Sequence, residues 1–336
     1  MKAIEVRDEF GLEHLETVER PEPDPGPREV VVEMRAASLN YRDLLMVRGH
    51  YNPRQPLPLV PCSDGVGVVV AAGDDVRRVA VGDRVATLFS QGWLSGEPTQ
   101  AKLRATLGGP LDGVLQERMV LSEEGVVPVA EHLSDAEAAC LPCAALTAWS
   151  ALVTQAAIGP GDTVLVLGTG GVAIFALQFA RLLGARVIVT SSSDEKLERA
   201  RALGASETIN YRETPRWSGR VHELTDGRGA DLVVEVGGAG TLGESLGAVR
   251  FGGQVSMIGV LSGPSSDVSV VPILMKNVRV QGILVGHREG FEAMNRAIAL
   301  HQLRPVVDRE HPFLEARRAL EEMAEGRHFG KIALSF

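Results

Sequence analysis

The sequence has no surplus of positive charge. Against 34 lysines and arginines it carries 43 aspartates and glutamates, and its formal net charge at pH 7 is −9. A protein that binds nucleic acid through the phosphate backbone neutralises phosphates with lysine and arginine. This chain has no excess of either residue, so the composition predicts no nucleic-acid partner.

Long hydrophobic runs are also missing. Apolar stretches such as VVVEMRAA and TVLVLGTGGVAIFALQFA are interrupted by charges or glycines, whereas a membrane-spanning helix needs roughly 20 predominantly apolar residues. The amino-terminal MKAIEVRDEFGLEH lacks the apolar core of a signal peptide. We therefore expect no membrane association and a cytoplasmic location.

Cysteine is scarce, with only Cys62, Cys140 and Cys143 in 336 residues. An odd number in a long chain argues against a disulfide framework and fits a reducing compartment. Cys140 and Cys143 match a C-x-x-C pattern, but a structural zinc would need two further ligands and only Cys62 remains. A redox dithiol requires a thioredoxin-like context, which is absent. We interpret the three as packed thiols.

The composition changes after about the first 127 residues. Up to that point valine, glycine and proline are frequent, and turns such as PEPDPGP separate short β-like runs. This pattern predicts a β-rich, partly barrel-like unit. Further on, helical periodicity alternates with short apolar strands, which is typical of a parallel α/β sheet. A chain of this length is also expected to form two domains.

The strongest single motif is a glycine turn between a strand and a helix. The strand-like TVLVL runs into GTGGVA, which matches the G-x-G-x-x-A form of the dinucleotide fingerprint. Gly168 allows the tight turn, while Gly170 and Gly171 let the backbone approach a pyrophosphate that the helix N-terminus can hold. We therefore predict a dinucleotide site with the turn residues Gly168, Thr169, Gly170, Gly171 and Val172.

The second strand of this half lacks the acidic residue of NAD-binding proteins. That acid stands about 20 positions after the turn and holds the ribose 2′-hydroxyl, but here the position is Ser191. The hydroxyls of Ser191, Ser192 and Ser193, together with Lys196 and with Arg199 as a further candidate, can bind a 2′-phosphate by charge-assisted hydrogen bonds. A capped helix start with solvated charges is also compatible with this segment. The pattern favours NADPH over NADH.

Several motifs occur in a fixed order: SLNYRD, PCSDGVGVV, GDRV, LPCAALTAW, GTGGVA, SSSDEKLERARALGA and HFGKIALSF. In this combination the sequence resembles the medium-chain dehydrogenase/reductase superfamily over essentially its whole length. The resemblance implies an α/β fold class, with a doubly wound Rossmann sheet that binds NADP and a β-rich, GroES-like catalytic domain, and it implies a homodimer. The expected boundaries are 1–127 for the first part of the catalytic domain, 128–286 for the Rossmann domain and 287–336 for a return to the catalytic domain.

The same resemblance argues against a metal. Zinc alcohol dehydrogenases place a cysteine at the position of Asn40, a His-Glu pair at Ser63 and Asp64, and a cysteine at Cys143. Only Cys143 remains here, and an amide and a hydroxyl are poor zinc ligands. The segment Phe89–Gly113 replaces the four-cysteine structural zinc lobe and contains no cysteine; we expect it to be a lid or an oligomer contact. No metal site is predicted.

SLNYRDLLMVRGHY resembles the quinone oxidoreductase branch, which carries an Asn-x-x-Asp and a tyrosine at the positions of Asn40, Asp43 and Tyr51. One departure is Leu45, where the quinone reductases have a second tyrosine. By the same resemblance, contacts to the cofactor are expected at Lys196, Tyr211, Gly259, Val260 and Lys331.

Without a metal, hydrogen-bond donors must polarise the substrate. Hydride addition to an activated double bond develops enolate charge on oxygen, which fixed donors can stabilise in a dry cleft. The candidate donors are the Asn40 amide, the Ser63 hydroxyl and the Tyr51 phenol, and either Tyr51 or solvent would deliver the proton. Asp43 is the fourth candidate catalytic residue, although fixing the loop or capping the following helix is the role we favour for it.

Three hypotheses are consistent with these residues. The leading one is a zinc-free, NADPH-dependent oxidoreductase that transfers hydride to a small molecule with an activated double bond, such as an enone or enoyl thioester, or to a quinone. The second is a zinc-independent alcohol dehydrogenase or carbonyl reductase that uses the same donors. The third is an NADP-binding protein without efficient turnover.

Overall fold

The computed structural model of the protein describes residues 1–265 and 267–336. The chain divides into two compact units. The first unit consists of Met1–Leu146 with Gly286–Phe336, and the second unit consists of Thr147–Val285. Among the residues that the structure describes, no helix combines the length and the apolar character needed to cross a bilayer.

The elements of both units are numbered along the chain. The strands are β1 (Lys2–Val6), β2 (Leu15–Glu19), β3 (Glu29–Ser38), β4 (Asp64–Ala72), β5 (Arg84–Thr87), β6 (Arg118–Ser122), β7 (Val126–Pro128), β8 (Thr163–Leu167), β9 (Arg186–Ser191), β10 (Glu207–Asn210), β11 (Ala230–Glu235), β12 (Val249–Met257), β13 (Arg279–Gly282), β14 (Val307–Pro312) and β15 (Lys331–Ser335). The α-helices are α1 (Tyr41–Val47), α2 (Gln100–Leu103), α3 (Asp135–Ala139), α4 (Leu146–Trp149), α5 (Gly171–Leu182), α6 (Asp194–Ala202), α7 (Trp217–Leu224), α8 (Leu242–Ala248), α9 (Val271–Met275), α10 (Arg288–His301) and α11 (Ala316–Ala324). Short 3-10 turns cover Leu12–His14, Glu123–Gly125 and Phe313–Glu315, and π-helical turns cover Leu141–Ala145 and Ser150–Gln155.

The second unit is built on a parallel sheet in the order β10-β9-β8-β11-β12-β13. Every residue of β8 and of β11 is buried, as expected when helices cover both faces of a parallel sheet. The strand order reverses between β8 and β11, which is the switch point of a doubly wound sheet and the place where such folds bind ligands. The predicted Rossmann sheet is confirmed.

The first unit contains a sheet in the order β14-β15-β3-β4-β5-β7, in which β6 also pairs with β3, and a separate antiparallel pair of β1 and β2. The long β3 organises this sheet, because it pairs antiparallel with β4, β6 and β15. In the last pairing Ala333 lies opposite Ser38, which brings the start of β15 close to the residues that follow β3. The predicted β-rich, GroES-like unit is confirmed.

The second unit begins at Thr147, whereas the sequence analysis places the boundary between residues 127 and 128. The intervening residues are helical, and their composition resembles that of the α/β half. Their helix α3, however, packs against β3 and β4 of the first unit. Helical periodicity identifies a helix but does not tell which sheet the helix covers, and this is why the composition change precedes the structural boundary.

The segment Phe89–Gly113 is anchored within the first unit. Trp93 is buried, and its indole Nε1 donates to the Gly96 carbonyl at 2.8 Å. The backbone N–H of Arg288, at the start of α10, donates to the Trp93 carbonyl at 3.1 Å, and the Trp93 ring packs edge-on against His287 at 5.7 Å between centroids. Trp93 is therefore an internal anchor of this segment.

His287 caps α10 and links its stability to pH. Nδ1 of His287 accepts a hydrogen bond from the Gly290 N–H at 2.9 Å, so it must be unprotonated. Burial lowers the pKa of His287 below its ordinary 6.5. Because the folded pKa is the lower one, the cap contributes stability above about pH 6.5 and loses it as the pH falls through the folded pKa.

We expect the melting temperature to fall by about 2–4 °C more between pH 8 and pH 5 in the wild type than in His287→Asn, which keeps a cap that does not titrate.

Differential scanning fluorimetry of both proteins at the two pH values measures this difference. The comparison removes the contribution of the other histidines, because both proteins contain them. An equal fall in the two proteins would show that the cap does not titrate in this range.

Candidate active site and cofactor site

Asn40 and Asp43 determine how α1 begins. Asn40 has an extended backbone, with φ −122° and ψ 150°, and its N–H donates to Oδ2 of Asp43 at 2.8 Å. The Asp43 N–H in turn donates to the Asn40 carbonyl at 2.8 Å. The helix starts at Tyr41, so Asp43 lies in its first turn and its carboxylate accepts a hydrogen bond from the residue that precedes the helix.

The Asp43 carboxyl is fully buried. Burial raises its pKa to about 6, and the neighbouring Arg42 guanidinium, 3.9 Å from Oδ1, acts in the opposite direction. Within the part of the chain that the structure describes, Oδ1 has no hydrogen-bond partner. A carboxyl in this environment can exchange a proton near neutral pH. The local sequence did not indicate this, because it does not show that Asp43 is buried.

Lys331 holds the side chain of Asn40. Its ammonium is buried and donates to the Leu39 carbonyl at 2.5 Å and to Oδ1 of Asn40 at 2.6 Å. An ammonium has donors only, so the amide oxygen must face it and the amide nitrogen must point away. That nitrogen is buried, and among the described residues no partner meets it in normal hydrogen-bond geometry. The Asn40 side chain is nevertheless close enough to Asp64 for a hydrogen bond that lowers the pKa of this carboxyl. Lys331, which the resemblance places at the cofactor, therefore has its ammonium bound to the Asn40 side chain.

Ser63 and Asp64 form the other half of this buried cluster. The Ser63 hydroxyl donates to Oδ1 of Asp64 at 2.7 Å, and the Cys143 N–H donates to Oδ2 at 3.0 Å. Burial raises the pKa of Asp64, and the Lys331 ammonium opposes that shift. Since the proton of Ser63 is directed at Asp64, its hydroxyl is less available to a substrate than the sequence analysis expects.

These side chains do not fit a zinc ion. The amide oxygen of Asn40 faces an ammonium, and the Ser63 hydroxyl is bound to Asp64. Among the residues that the structure describes, no group of three or more His, Cys, Asp and Glu side chains is arranged to hold a metal ion.

Arg42 connects Tyr51 to the segment Phe89–Gly113. The Tyr51 side chain is exposed, and the Arg42 guanidinium lies 5.1 Å from the centroid of its ring and 4.8 Å from that of Phe89. The same guanidinium donates to the carbonyls of Leu107 and Gly109, each at 2.7 Å. Arg42 was missed by the sequence analysis, although it stands inside the SLNYRD motif that drew attention to its neighbours.

The glycine turn of the second unit fits a pyrophosphate. Gly168 has a φ of 78°, and its N–H donates to the Thr190 carbonyl at 2.9 Å. A Cβ added at Gly168 or at Gly170 would meet no atom of the described residues within 4 Å, so the turn has open space beside it. Thr169 is buried beneath it, and Gly171 and Val172 begin α5, whose first N–H groups have no partner within the helix.

The serine cluster lies at the carboxyl ends of β9 and β10. Ser191 ends β9, and its carbonyl accepts from the Tyr211 N–H at 3.0 Å. The Ser193 hydroxyl caps α6 by accepting from the Lys196 N–H at 3.4 Å, and Ser192 stands between them. The backbone thus brings the three serines, Lys196 and Tyr211 to the same strand ends, at the edge where a Rossmann sheet binds its ligand.

The loops after β11 and β12 lie at the same edge. The N–H groups of Ile258 and Gly259 donate to the Glu235 carbonyl at 2.8 and 3.4 Å, and Val260 is half-exposed beyond them. The Glu235 side chain is fully buried. The sequence analysis did not select Glu235; its signal was an acidic residue at the end of the otherwise apolar strand ADLVVE.

Two family models match the chain. One, for the alcohol dehydrogenase GroES-like domain, matches residues 26–131. The other, for the zinc-binding dehydrogenase family, matches residues 171–300. The first range lies within the first unit, and the second range covers most of the second unit and continues to residue 300, in α10 of the first unit.

Two curated relatives align over nearly the full length. A zinc-type alcohol dehydrogenase-like protein of Schizosaccharomyces pombe is 42% identical over 98% of this chain and 97% of its own. A quinone oxidoreductase of Pseudomonas aeruginosa is 34% identical over 99% of both chains. A crystal structure of an NAD-dependent alcohol dehydrogenase is 36% identical, covers 100% of both chains and superimposes with a TM-score of 0.92. The protein therefore belongs to the medium-chain dehydrogenase/reductase family and is an NAD(P)-dependent oxidoreductase.

Proposed function

We propose that the protein uses NADPH to transfer hydride to an activated double bond or a quinone, and that it does so without zinc. The observation that carries this proposal is the buried cluster of Lys331, Asn40, Ser63 and Asp64, whose polar atoms bind one another at the positions where zinc members of the family are expected to hold the metal. The quinone oxidoreductase of Pseudomonas aeruginosa, at 34% identity, supports the same class of acceptor.

In the proposed reaction, NADPH supplies the hydride and the protein supplies orientation and hydrogen bonds. Lys331 fixes the Asn40 amide and places a positive charge beside it, so the amide nitrogen is a pre-oriented donor for the oxygen that becomes negative as hydride adds. The Tyr51 phenol, held in place by Arg42, is the second donor. Either Tyr51 or solvent delivers the proton to carbon. Asp43 holds the loop that carries Asn40.

A second candidate is an alcohol dehydrogenase or carbonyl reductase that employs the same donors. The relative at 42% identity is described as alcohol dehydrogenase-like, which favours this alternative. The chemistry differs only in where the hydride goes: onto the carbonyl carbon instead of the carbon conjugated with it.

NADPH oxidation by the purified protein against quinones, enones, enoyl thioesters and aldehydes separates these candidates. We expect turnover with at least one quinone, enone or enoyl thioester. Replacing Asn40 by Ala should lower kcat/KM about 10²-fold, the usual effect of losing one oxyanion donor, while NADPH still binds. Turnover of aldehydes alone would favour the second candidate, and tight NADPH binding without turnover would favour a protein that does not catalyse.

The same preparation should contain zinc well below one ion per chain and should keep its activity after dialysis against a chelator. Stoichiometric zinc in the active protein would contradict the zinc-free mechanism.

Ser191 is the residue that we propose distinguishes the two cofactors. We expect a lower KM for NADPH than for NADH, and Ser191→Asp should reverse the order, because a carboxylate repels the 2′-phosphate and binds the 2′-hydroxyl. Ser206→Asp adds the same charge at the amino end of β10, away from the proposed site, and should leave the order unchanged. Equal use of both cofactors by the wild type would contradict the proposal.

We also propose a homodimer formed through the edge of the second unit's sheet. β13 is an edge strand, and edge strands are normally protected or paired. Beside it, apolar side chains are exposed to between 39% and 79%: Phe251, Val270, Val271, Leu274, Met275 and Val280. Several large apolar side chains exposed near an edge strand are typical of an interaction site.

Light scattering of the wild type should give the mass of two chains, and Leu274→Asp should give the mass of one. Leu300→Asp serves as the matched control, because Leu300 is equally exposed but lies on α10 of the first unit. A dimer that survives Leu274→Asp and dissociates with Leu300→Asp would place the interface elsewhere.

A further inference from the structure

Glu235 stands at the switch point of the Rossmann sheet. It is the last residue of β11, and its neighbour Val234 pairs with Val166 of β8. β8 ends one residue further on, at Leu167, and the glycine turn begins there. In a parallel pair the carboxyl ends meet at one edge, so Glu235 lies at the level of the turn that fits the pyrophosphate.

The carboxylate of Glu235 accepts four hydrogen bonds from neutral groups. Oε1 accepts from the N–H of Gly237 at 2.7 Å, from the N–H of Gly238 at 3.0 Å and from the Thr241 hydroxyl at 2.6 Å, and Oε2 accepts from the Ser245 hydroxyl. The side chain is fully buried. None of the four donors carries a positive charge, so they satisfy the oxygens, and among the described residues no cationic side chain forms a salt bridge with this carboxylate.

The half of the sheet that begins with β11, the strand that Glu235 ends, is the half expected to bind the nicotinamide. A doubly wound fold binds a dinucleotide with one mononucleotide on each side of the switch point. Ser191 and the phosphate-binding groups belong to the β8–β10 side, which therefore takes the adenosine. Glu235 is the first strand end on the other side, and its carbonyl also holds the loop of Gly259.

A buried anion at this place discriminates between the two states of the cofactor. The reduced nicotinamide ring is neutral. When the C4–H bond breaks and the hydride leaves with its electron pair to bond with the acceptor carbon, the ring gains one positive charge. In a site of low dielectric constant, an unpaired carboxylate attracts that charge over several ångströms.

We propose that Glu235 is a positioning residue whose negative charge stabilises the oxidised, cationic nicotinamide relative to the reduced one, and so makes the bound cofactor a stronger hydride donor. This inference rests on the proposed use of NADPH. It assigns to a buried side chain of the second unit a role in the energetics of hydride transfer, separate from substrate polarisation by Asn40.

Equilibrium binding of NADP+ and NADPH, each titrated separately, tests the inference without any acceptor. In Glu235→Gln we expect Kd for NADP+ to rise about tenfold, the order of effect of removing one charge from a weakly solvated site, while Kd for NADPH changes less than about twofold. Glutamine keeps the length of the side chain, so the loop retains most of its hydrogen bonds.

Two control variants separate charge from structure. Asp231→Asn removes a carboxylate from the opposite end of the same strand, where Arg228 and Arg250 neutralise it, and should leave the ratio of the two Kd values unchanged. Ser245→Ala keeps the charge but removes a hydrogen bond, and should also preserve the ratio.

Thr241→Lys brings an ammonium to the carboxylate from a half-exposed position and should shift the ratio in the same direction as Glu235→Gln. It replaces Glu235→Gln if the glutamine variant does not fold.

Equal weakening of NADP+ and NADPH binding in Glu235→Gln and in Thr241→Lys would show that Glu235 only shapes the loop, and the inference would be wrong. Failure of the wild type to bind either NADP+ or NADPH would instead contradict the proposed cofactor itself. A change confined to NADP+ supports the inference whichever acceptor the enzyme uses.

Discussion

The first unit depends on one buried cation. The Lys331 ammonium, at the start of β15, is bound to the Leu39 carbonyl and to the Asn40 amide, and an unpaired ammonium in such a place would be very costly. The antiparallel pairing of β15 with β3 delivers this charge from the far end of the chain to the residues that follow β3. Two buried carboxyls, those of Asp43 and Asp64, are then tolerated in the same neighbourhood.

The charge of Lys331 also supports the proposed mechanism without a metal. A zinc ion and an ammonium are both cations that compensate buried acids, but the ammonium donates hydrogen bonds and the zinc ion accepts electron pairs. Lys331 donates to the oxygen of the Asn40 amide, which is the atom that a metal ion would need, and the Ser63 hydroxyl donates its proton to Asp64. The surroundings of these residues therefore suit hydrogen-bond chemistry.

The second unit places opposite charges around the predicted cofactor site. The N-terminus of α5 and the Lys196 ammonium suit phosphate groups, whereas the Glu235 carboxylate, on the other side of the switch point, is a buried anion held by neutral donors. Both arrangements arise at the carboxyl ends of neighbouring parallel strands. The separation matters because the dinucleotide itself is negative at its phosphates and becomes positive at its ring.

Local sequence was sufficient for the features that depend on short-range geometry. The strand–glycine–helix motif predicted the turn at Gly168, since only a tight turn with a positive φ joins that strand to that helix, and the alternation of strands and helices predicted the parallel sheet. The residue types alone also indicated that Asn40 and Ser63 stand where the family resemblance would place zinc ligands.

Tertiary structure alone decided which distant groups meet. Lys331 lies 291 positions from Asn40, and nothing local to either residue indicates the contact, because strand pairing creates it. The same holds for Arg42 and its carbonyl partners beyond position 106, for the assignment of α3 to the first unit, and for the direction of the Ser63 proton. Hydrophobic periodicity determines which face of an element is buried, but the identity of the groups on the opposing surface depends on packing between elements remote in the chain.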